Sequence, residues 1–206
     1  MYLVTDEHYD HLFAKVGQAL DGGVTMVQYR VKETPAEEQW ATARLLQVFC
    51  ENFGVPFIIN DNVQLARDLD ADGVHLGQGD MSCQAAREIL GPEKIIGVTV
   101  HDVGEAVAAE RAGADYLGAG AVFVTKTKDD APVLGVAKLA EICSSVQVPV
   151  VAIGGITYPR YQLVLRSGAA GAAMVSDILG TRFIKRKVEG YVRQFQTYMN
   201  RKNEFE

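Results

Sequence analysis

Three groups of residues in this 206-residue sequence have types and spacing suited to chemistry. The segment Gln28-Tyr29-Arg30-Val31-Lys32 ends a mostly apolar run. Alternation along a strand sets Gln28, Arg30 and Lys32 on one side, where an amide and two cations would converge as an anion clamp. A solvated loop with incidental charges is the plainer alternative. Asp61, in Asn60-Asp61-Asn62, and Asp80, closing Gly77-Gln78-Gly79-Asp80, follow the next two apolar runs. A small set of hard oxygen ligands suits Mg²⁺ shared with substrate phosphates. Either aspartate alone reads better as a helix N-cap. The third group is anion-binding: Thr125, Lys126, Thr127 and Lys128 alternate hydroxyl and ammonium, and further on lie Gly154-Gly155 and Ser176. Glycines let the backbone approach a phosphate, although a polar surface loop and a tight turn would look the same. Thr99 could bond a substrate, while His75 and His101 receive no role, one readable as a packed core histidine and the other as exposed. There is no Ser-His-Asp order, nucleophile elbow or supported catalytic cysteine. The set points to displacement at a phosphorylated centre, assisted by a metal and cations, with two anion-binding regions.

These residues need elements to hold them. Apolar runs at 2–5, 24–30, 56–60, 73–77, 95–99, 116–119, 149–153 and 171–175 are short, Val/Ile/Ala-rich and bounded by Gly, Pro or Asp. That texture suits strands buried on both faces. Between them run segments with helical spacing: Ala36–Phe53, where Trp40, Ala43, Leu46 and Cys50 share a face, then 63–69, 83–90, 103–111, 136–144 and 161–167. The corners LDGGVTMVQ, LDADGVHLG, AGADYLGAG and SGAAGAAMV repeat a helix–Gly–strand exit. Eight such units predict an α/β fold, a (β/α)8 TIM barrel, whose active site sits at the C-terminal strand ends and whose loops after strands seven and eight bind phosphate. An open doubly wound sheet is the alternative, but no GxGxxG follows the first run. At 206 residues the chain is near the lower bound of about 200 for this barrel. It is read as one domain over 1–206 with a final outer helix at about 181–199, burying Ile184, Val188, Tyr191, Phe195 and Tyr198 and wetting 185–187.

Composition narrows the partners. Lys and Arg total 20 and Asp and Glu 26, giving a net charge of −6. So acidic a chain is a poor binder of duplex nucleic acid or an anionic membrane. Three separated cysteines, Cys50, Cys83 and Cys143, form no CxxC pair and suit a reducing compartment. The acidic start MYLVTDEHYD does not read as a signal peptide. The expectation is a cytoplasmic protein with two phosphorylated small-molecule substrates, no nucleic-acid or membrane partner, and possible homodimers through exposed helices.

The chain resembles the thiamine-phosphate synthase family over nearly its whole length. The resemblance is carried by QYRVK (28–32), INDNVQLARDLDADGVHLGQGD (59–80), GADYLGAGAVFVTKTK (113–128) and AIGGI (152–156). It implies a Mg²⁺-dependent transferase that joins hydroxymethylpyrimidine diphosphate to hydroxyethylthiazole phosphate, releasing diphosphate. It further implies that Gln28, Arg30, Lys32 and Asn60 hold the pyrimidine diphosphate and that Asp61 and Asp80 bind Mg²⁺. Thr99, where the family usually has Ser, would touch the pyrimidine. Thr125, Thr127, Gly155, Val175 and Ser176 would bind the thiazole phosphate, and Lys128 the diphosphate. Arg30, Lys32 and Lys128 are the implied catalytic cations. Ala121 and Val124 replace the prolines of the family's GPxxPTxTK loop, which loosens the unbound loop. Two rival readings are a thiazole tautomerase of the same superfamily, with His101 as its histidine, and a non-catalytic regulator that binds phosphorylated ligands.

Overall fold

A computed structural model describes residues 1–125 and 133–204. The chain alternates strand and helix: β1 (Tyr2–Val4), α1 (Leu12–Asp21), β2 (Met26–Tyr29), α2 (Ala36–Phe53), β3 (Phe57–Asn60), α3 (Val63–Asp68), β4 (Gly73–Leu76), α4 (Cys83–Leu90), β5 (Ile95–Val100), α5 (Val103–Arg111), β6 (Tyr116–Ala119), α6 (Gly135–Ser145), β7 (Val150–Ile153), α7 (Tyr158–Arg166), β8 (Gly171–Met174), α8 (Ser176–Leu179) and α9 (Ile184–Asn203). The strands are parallel and close into a barrel, because β1 pairs with both β2 and β8. The eight-stranded barrel expected from the sequence is therefore present, and the open sheet is excluded.

Alternation along each strand builds two layers. Leu3, Val27, Phe57, Ile59, Val74, Leu76, Ile96, Val98, Leu117 and Ala152 face outward and pack with helix residues such as Val16, Ala43, Leu46, Leu139 and Ile142. The inward cluster is smaller: Tyr2, Val4, Tyr116 and Ala173, with Ile95, Val151 and Ile153 against it. Register then aligns the inward polar positions. Asn60 lies beside His75, His75 beside Gly97, Gly97 beside Tyr116, and Thr99 beside Gly118. The glycines are required by volume. A Cβ on Gly97 would lie 2.1 Å from Cζ of Tyr116, and one on Gly118 2.9 Å from Cε1 of His75.

The helices differ from expectation in several places, among them the short α8 and an α7 that begins at Tyr158 where 161 was expected. α1 was not foreseen, its buried residues being only Val16, Ala19 and Leu20. On α2, Trp40 is 48% exposed, and the buried set is Ala43, Leu46, Gln47 and Cys50. Gln47 belongs there because its amide donates to the carbonyls of Leu69 and Asp70, which close α3. The final helix spans Ile184–Asn203, not 181–199. A turn in which the Phe183 N–H bonds the Thr181 hydroxyl delays its start, and Arg201 and Lys202 in its last turn favour the helix C-terminal dipole. Its inner side holds Ile184, Val188 and Tyr191 buried, with Phe195 and Tyr198 half-buried.

Candidate active site

The C-terminal strand ends surround a cavity of about 340 Å³. Its lining includes Gln28, Arg30, Asn60, Thr99, Thr125, Gly155, Val175 and Ser176, so eight residues singled out in the sequence meet in one place. They come from β2, β3 and β5 and from the segments after β6, β7 and β8. Lys32, Asp61 and Asp80 form a charged cluster beside the cavity, linked to it through Asn60. Thr127 and Lys128 lie outside the described residues.

The Gln28–Lys32 segment is held from below and from the side. The backbone N–H of Arg30 donates to the buried Thr5 hydroxyl at 2.9 Å, fixing the point where β2 leaves the barrel. The next turn wraps around Glu7. Its carboxylate accepts from the backbone N–H groups of Lys32, Glu33 and Thr34 and from the Thr34 hydroxyl. Desolvation works to raise the Glu7 pKa, but these hydrogen bonds outweigh it and hold the group down at about 2. Glu7 thus positions Lys32 from a distance of 25 residues along the chain. Sequence reading missed it because nothing local marks the contact.

The Lys32 ammonium donates to Oδ2 of Asp61 at 2.6 Å. Asp61 has φ 61, a left-handed conformation that Asp tolerates better than most residues, and its N–H is pinned to the His75 carbonyl at 2.8 Å. Burial opposes its charge, but Lys32 wins and holds the carboxyl below the ordinary range. Asp80 is held above its ordinary value by its own burial and then by Asp61. Its Oδ2 accepts the Gly77 N–H at 2.7 Å. Two carboxylates in contact, with opposite displacements, form a site that a cation would relax. Among the described residues no group of three or more His, Cys, Asp or Glu could hold a metal. A pair of hard oxygen ligands fits Mg²⁺, which keeps waters and takes other ligands from substrate phosphates.

The far side of the cavity is backbone. Gly154 and Gly155 have φ of 98 and 62. A Cβ on Gly154 would meet Cβ of Ala121 at 2.6 Å, and one on Gly155 the Val124 carbonyl at 2.4 Å. Both the conformation and the close approach of the loop after β6 demand glycine. Arg160 donates to the Gly155 carbonyl at 2.8 Å and lies over the Phe123 ring, tying this turn to that loop. Ser176 opens α8 directly after Val175.

The part of the floor that joins Gln28 to Thr99, made by Tyr2, Tyr116 and His75, was not foreseen. Gln28 Nε2 donates to the Tyr2 hydroxyl at 2.8 Å, and Tyr2 and Tyr116 hydroxyls are 2.8 Å apart. His75 Nδ1 is 2.9 Å from the Tyr116 hydroxyl, and His75 Nε2 is 2.9 Å from the Thr99 hydroxyl. His75 is therefore part of the cavity wall, not a core histidine. A usable signal did exist: tyrosines at 2 and 116 give polar tips to otherwise aliphatic runs. His101 also lines the cavity, with Nδ1 held 2.9 Å from Glu105 Oε2.

Comparison with known proteins agrees with this geometry. The family model described as thiamine monophosphate synthase matches residues 1–178. The thiamine-phosphate synthase of Pyrococcus horikoshii is 43% identical, over 94% of this chain and 93% of that protein. That of Clostridium acetobutylicum is 43% identical, over 91% and 90%. The solved thiamine phosphate pyrophosphorylase from Pyrococcus furiosus superposes with a TM-score of 0.90 at 38% identity, covering 96% of this chain and 95% of that one. With its family model spanning most of its length and relatives this similar end to end, the chain belongs to the thiamine monophosphate synthase family.

Proposed function

We propose that this chain is a thiamine-phosphate synthase, transferring the hydroxymethylpyrimidine group from its diphosphate to the ring nitrogen of hydroxyethylthiazole phosphate. The observation that carries the reading is a polar-floored cavity directly beside a cluster of a cation and paired carboxylates, with Arg30 at their border. The first suits a heterocycle and the second a diphosphate.

In this reading Gln28, Asn60 and Thr99 hold the pyrimidine. Arg30 and Lys32 hold the diphosphate, with Lys128 as the family resemblance implies. Thr125, Thr127, Gly155, Val175 and Ser176 hold the thiazole phosphate, the last three largely through backbone N–H groups. Asp61 and Asp80 hold Mg²⁺, which when bound would neutralise charge on the leaving diphosphate. The aminopyrimidine stabilises positive charge on its methylene carbon, so the C–O bond breaks ahead of attack and its electron pair departs with diphosphate. Arg30 and Lys32 stabilise the charge that develops there. The thiazole nitrogen then forms the C–N bond with its own lone pair. No proton is removed from the nucleophile, and the cavity accordingly needs no general base.

The deciding experiment incubates purified protein with both phosphorylated substrates and Mg²⁺ and measures thiamine phosphate. Product formation is expected, and its absence with fresh substrates overturns the reading. Because His101 lines the cavity in a fixed pair with Glu105, the tautomerase is the second reading. Isomerisation of a thiazole carboxylate phosphate without thiamine phosphate would install it instead. We further read the chain as one folding unit over 1–206 in the cytoplasm. Two copies would pair through exposed apolar residues of α2 such as Trp40, Leu45 and Phe53, a state that sedimentation velocity reads directly.

A further inference from the structure

The five groups of the cavity floor form one continuous hydrogen-bonded chain: Gln28, Tyr2, Tyr116, His75, Thr99. Each link has a donor and an acceptor, and one end has no choice. The Gln28 NH₂ has only protons to offer the Tyr2 oxygen. Tyr2 is buried, and its own proton then has the Tyr116 oxygen as acceptor at 2.8 Å. Tyr116, also buried, passes its proton to Nδ1 of His75. A ring that accepts at Nδ1 carries its proton at Nε2 when neutral, and Nε2 donates to the Thr99 oxygen. The Thr99 proton is left to point into the cavity that Thr99 lines. The opposite direction would bring two donors onto the Tyr2 oxygen. The Tyr2 proton would then have no acceptor among the hydrogen bonds of the described residues, and a buried unpaired donor is costly. Burial pushes both phenols up, so both stay protonated and neither breaks the chain.

We propose that Tyr2, Tyr116 and His75 are positioning residues that fix Thr99 as a hydrogen-bond donor, selecting a heteroaromatic ring that presents an acceptor nitrogen to it. This rests on the pyrimidine being the cavity's occupant. Gly97 and Gly118 support it from the packing side, since any side chain there would displace the Tyr116 or His75 ring from its place in the chain. A His75 that accepts at Nδ1 from Tyr116 is uncharged by that geometry, so this recognition calls for no charge in the floor. A ring offering an N–H at this point would meet the Thr99 proton head on and be rejected.

Side-chain nitrogen NMR on the free protein, assigned by comparison with His75→Asn, tests the direction. A neutral His75 protonated at Nε2 is expected, and a ring protonated at Nδ1 overturns the proposal whatever the activity. Kinetics test the consequence. Thr99→Val should raise KM for the pyrimidine diphosphate about tenfold, the worth of one neutral hydrogen bond, with KM for the thiazole phosphate unchanged. Thr99→Ser should restore it. Tyr116→Phe should act on the same constant alone. The double variant Tyr116→Phe/Thr99→Val should be no worse than Thr99→Val, because the tyrosine acts through the threonine. Losses that simply add would overturn the proposal. Wild-type protein that makes no thiamine phosphate overturns the functional reading alone, and the nitrogen shifts still decide the direction of the chain.

Discussion

The two ends of the barrel use the same residue types to opposite purposes. At the N-terminal end each of the main charges meets a matching partner. Arg87 pairs with Asp115 at 2.6 Å and also donates to the carbonyls of Gly91, Lys94 and Gly113. Asp115 in turn accepts the Ile96 N–H, Asp72 accepts the Phe57 N–H, and Lys94 pairs with Asp70. Each aspartate thereby fastens the start of a strand or the loop leading into it. At the C-terminal end, among the described residues, Asp61 and Asp80 share a single lysine, and one of them holds a left-handed backbone. The first arrangement is saturated, and nothing needs to be added to it. The second, among the described residues, carries two carboxylates against one cation. In barrels of this type the bottom face serves stability and the top face chemistry, and here the difference is written in how completely each aspartate is partnered.

Substitutions at the two ends should therefore fail in different ways. The largest effect is expected from Asp61→Ala. Turnover should fall by on the order of 10²–10³-fold or beyond measurement, while the fold is kept and the melting temperature falls only modestly, relief of the carboxylate contact partly offsetting the cost of alanine at a left-handed position. Near-wild-type activity would remove the metal assignment, and a collapsed melting curve would remove the contrast between the ends. Arg87→Ala should do the reverse. Losing a guanidinium that satisfies several carbonyls and a carboxylate should cost about 1–3 kcal/mol in denaturant titration, with kcat at 25 °C unchanged. A selective loss of kcat would break the comparison from the other side.

The smallest effect concerns Glu7, which lies between these extremes because it anchors structure in the service of the site. Its folded pKa of about 2 lies below its ordinary value of 4.5. Its contribution is therefore complete above pH 4.5 and is lost as pH falls through about 2. Glu7→Gln should narrow the stability difference from wild type over that window, and at neutral pH it should raise KM for the diphosphate substrate several-fold by loosening the Lys32 turn. An unchanged pH dependence of unfolding would show that the turn is held by something else.

What could be read from the sequence followed the range of each interaction. Strand ends, glycine corners and the pairing of Asp61 with Asp80 are short-range patterns, and the structure finds the barrel they imply. The gathering of Gln28, Arg30 and Lys32 at one end of the barrel was legible because they sit two apart on one strand and its exit. The part of the floor that joins Gln28 to Thr99 was not. Tyr2 and Tyr116 stand 114 residues apart and meet only because β1 and β6 face each other across a closed barrel. His75 looked like packing because its partners, Tyr116 and Thr99, come from two other strands. The Glu7 anchor fails the same way, since an acidic residue after β1 carries no mark of the turn that will close over it. Trp40 shows the reverse error: helical spacing made it resemble its neighbours, but only the later turns of α2 reach the barrel.

Gly97 and Gly118 have a consequence for how this molecule can change. The space for the Tyr116 ring exists because position 97 has no side chain, and the space for the His75 ring because position 118 has none. Ring and vacancy are thus one unit shared between two strands. A larger residue at 97 becomes tolerable only if 116 shrinks, and likewise for 118 and 75. Variants of this barrel should drift in such matched pairs, each pair exchanging volume across the strand boundary while the wall as a whole keeps its thickness.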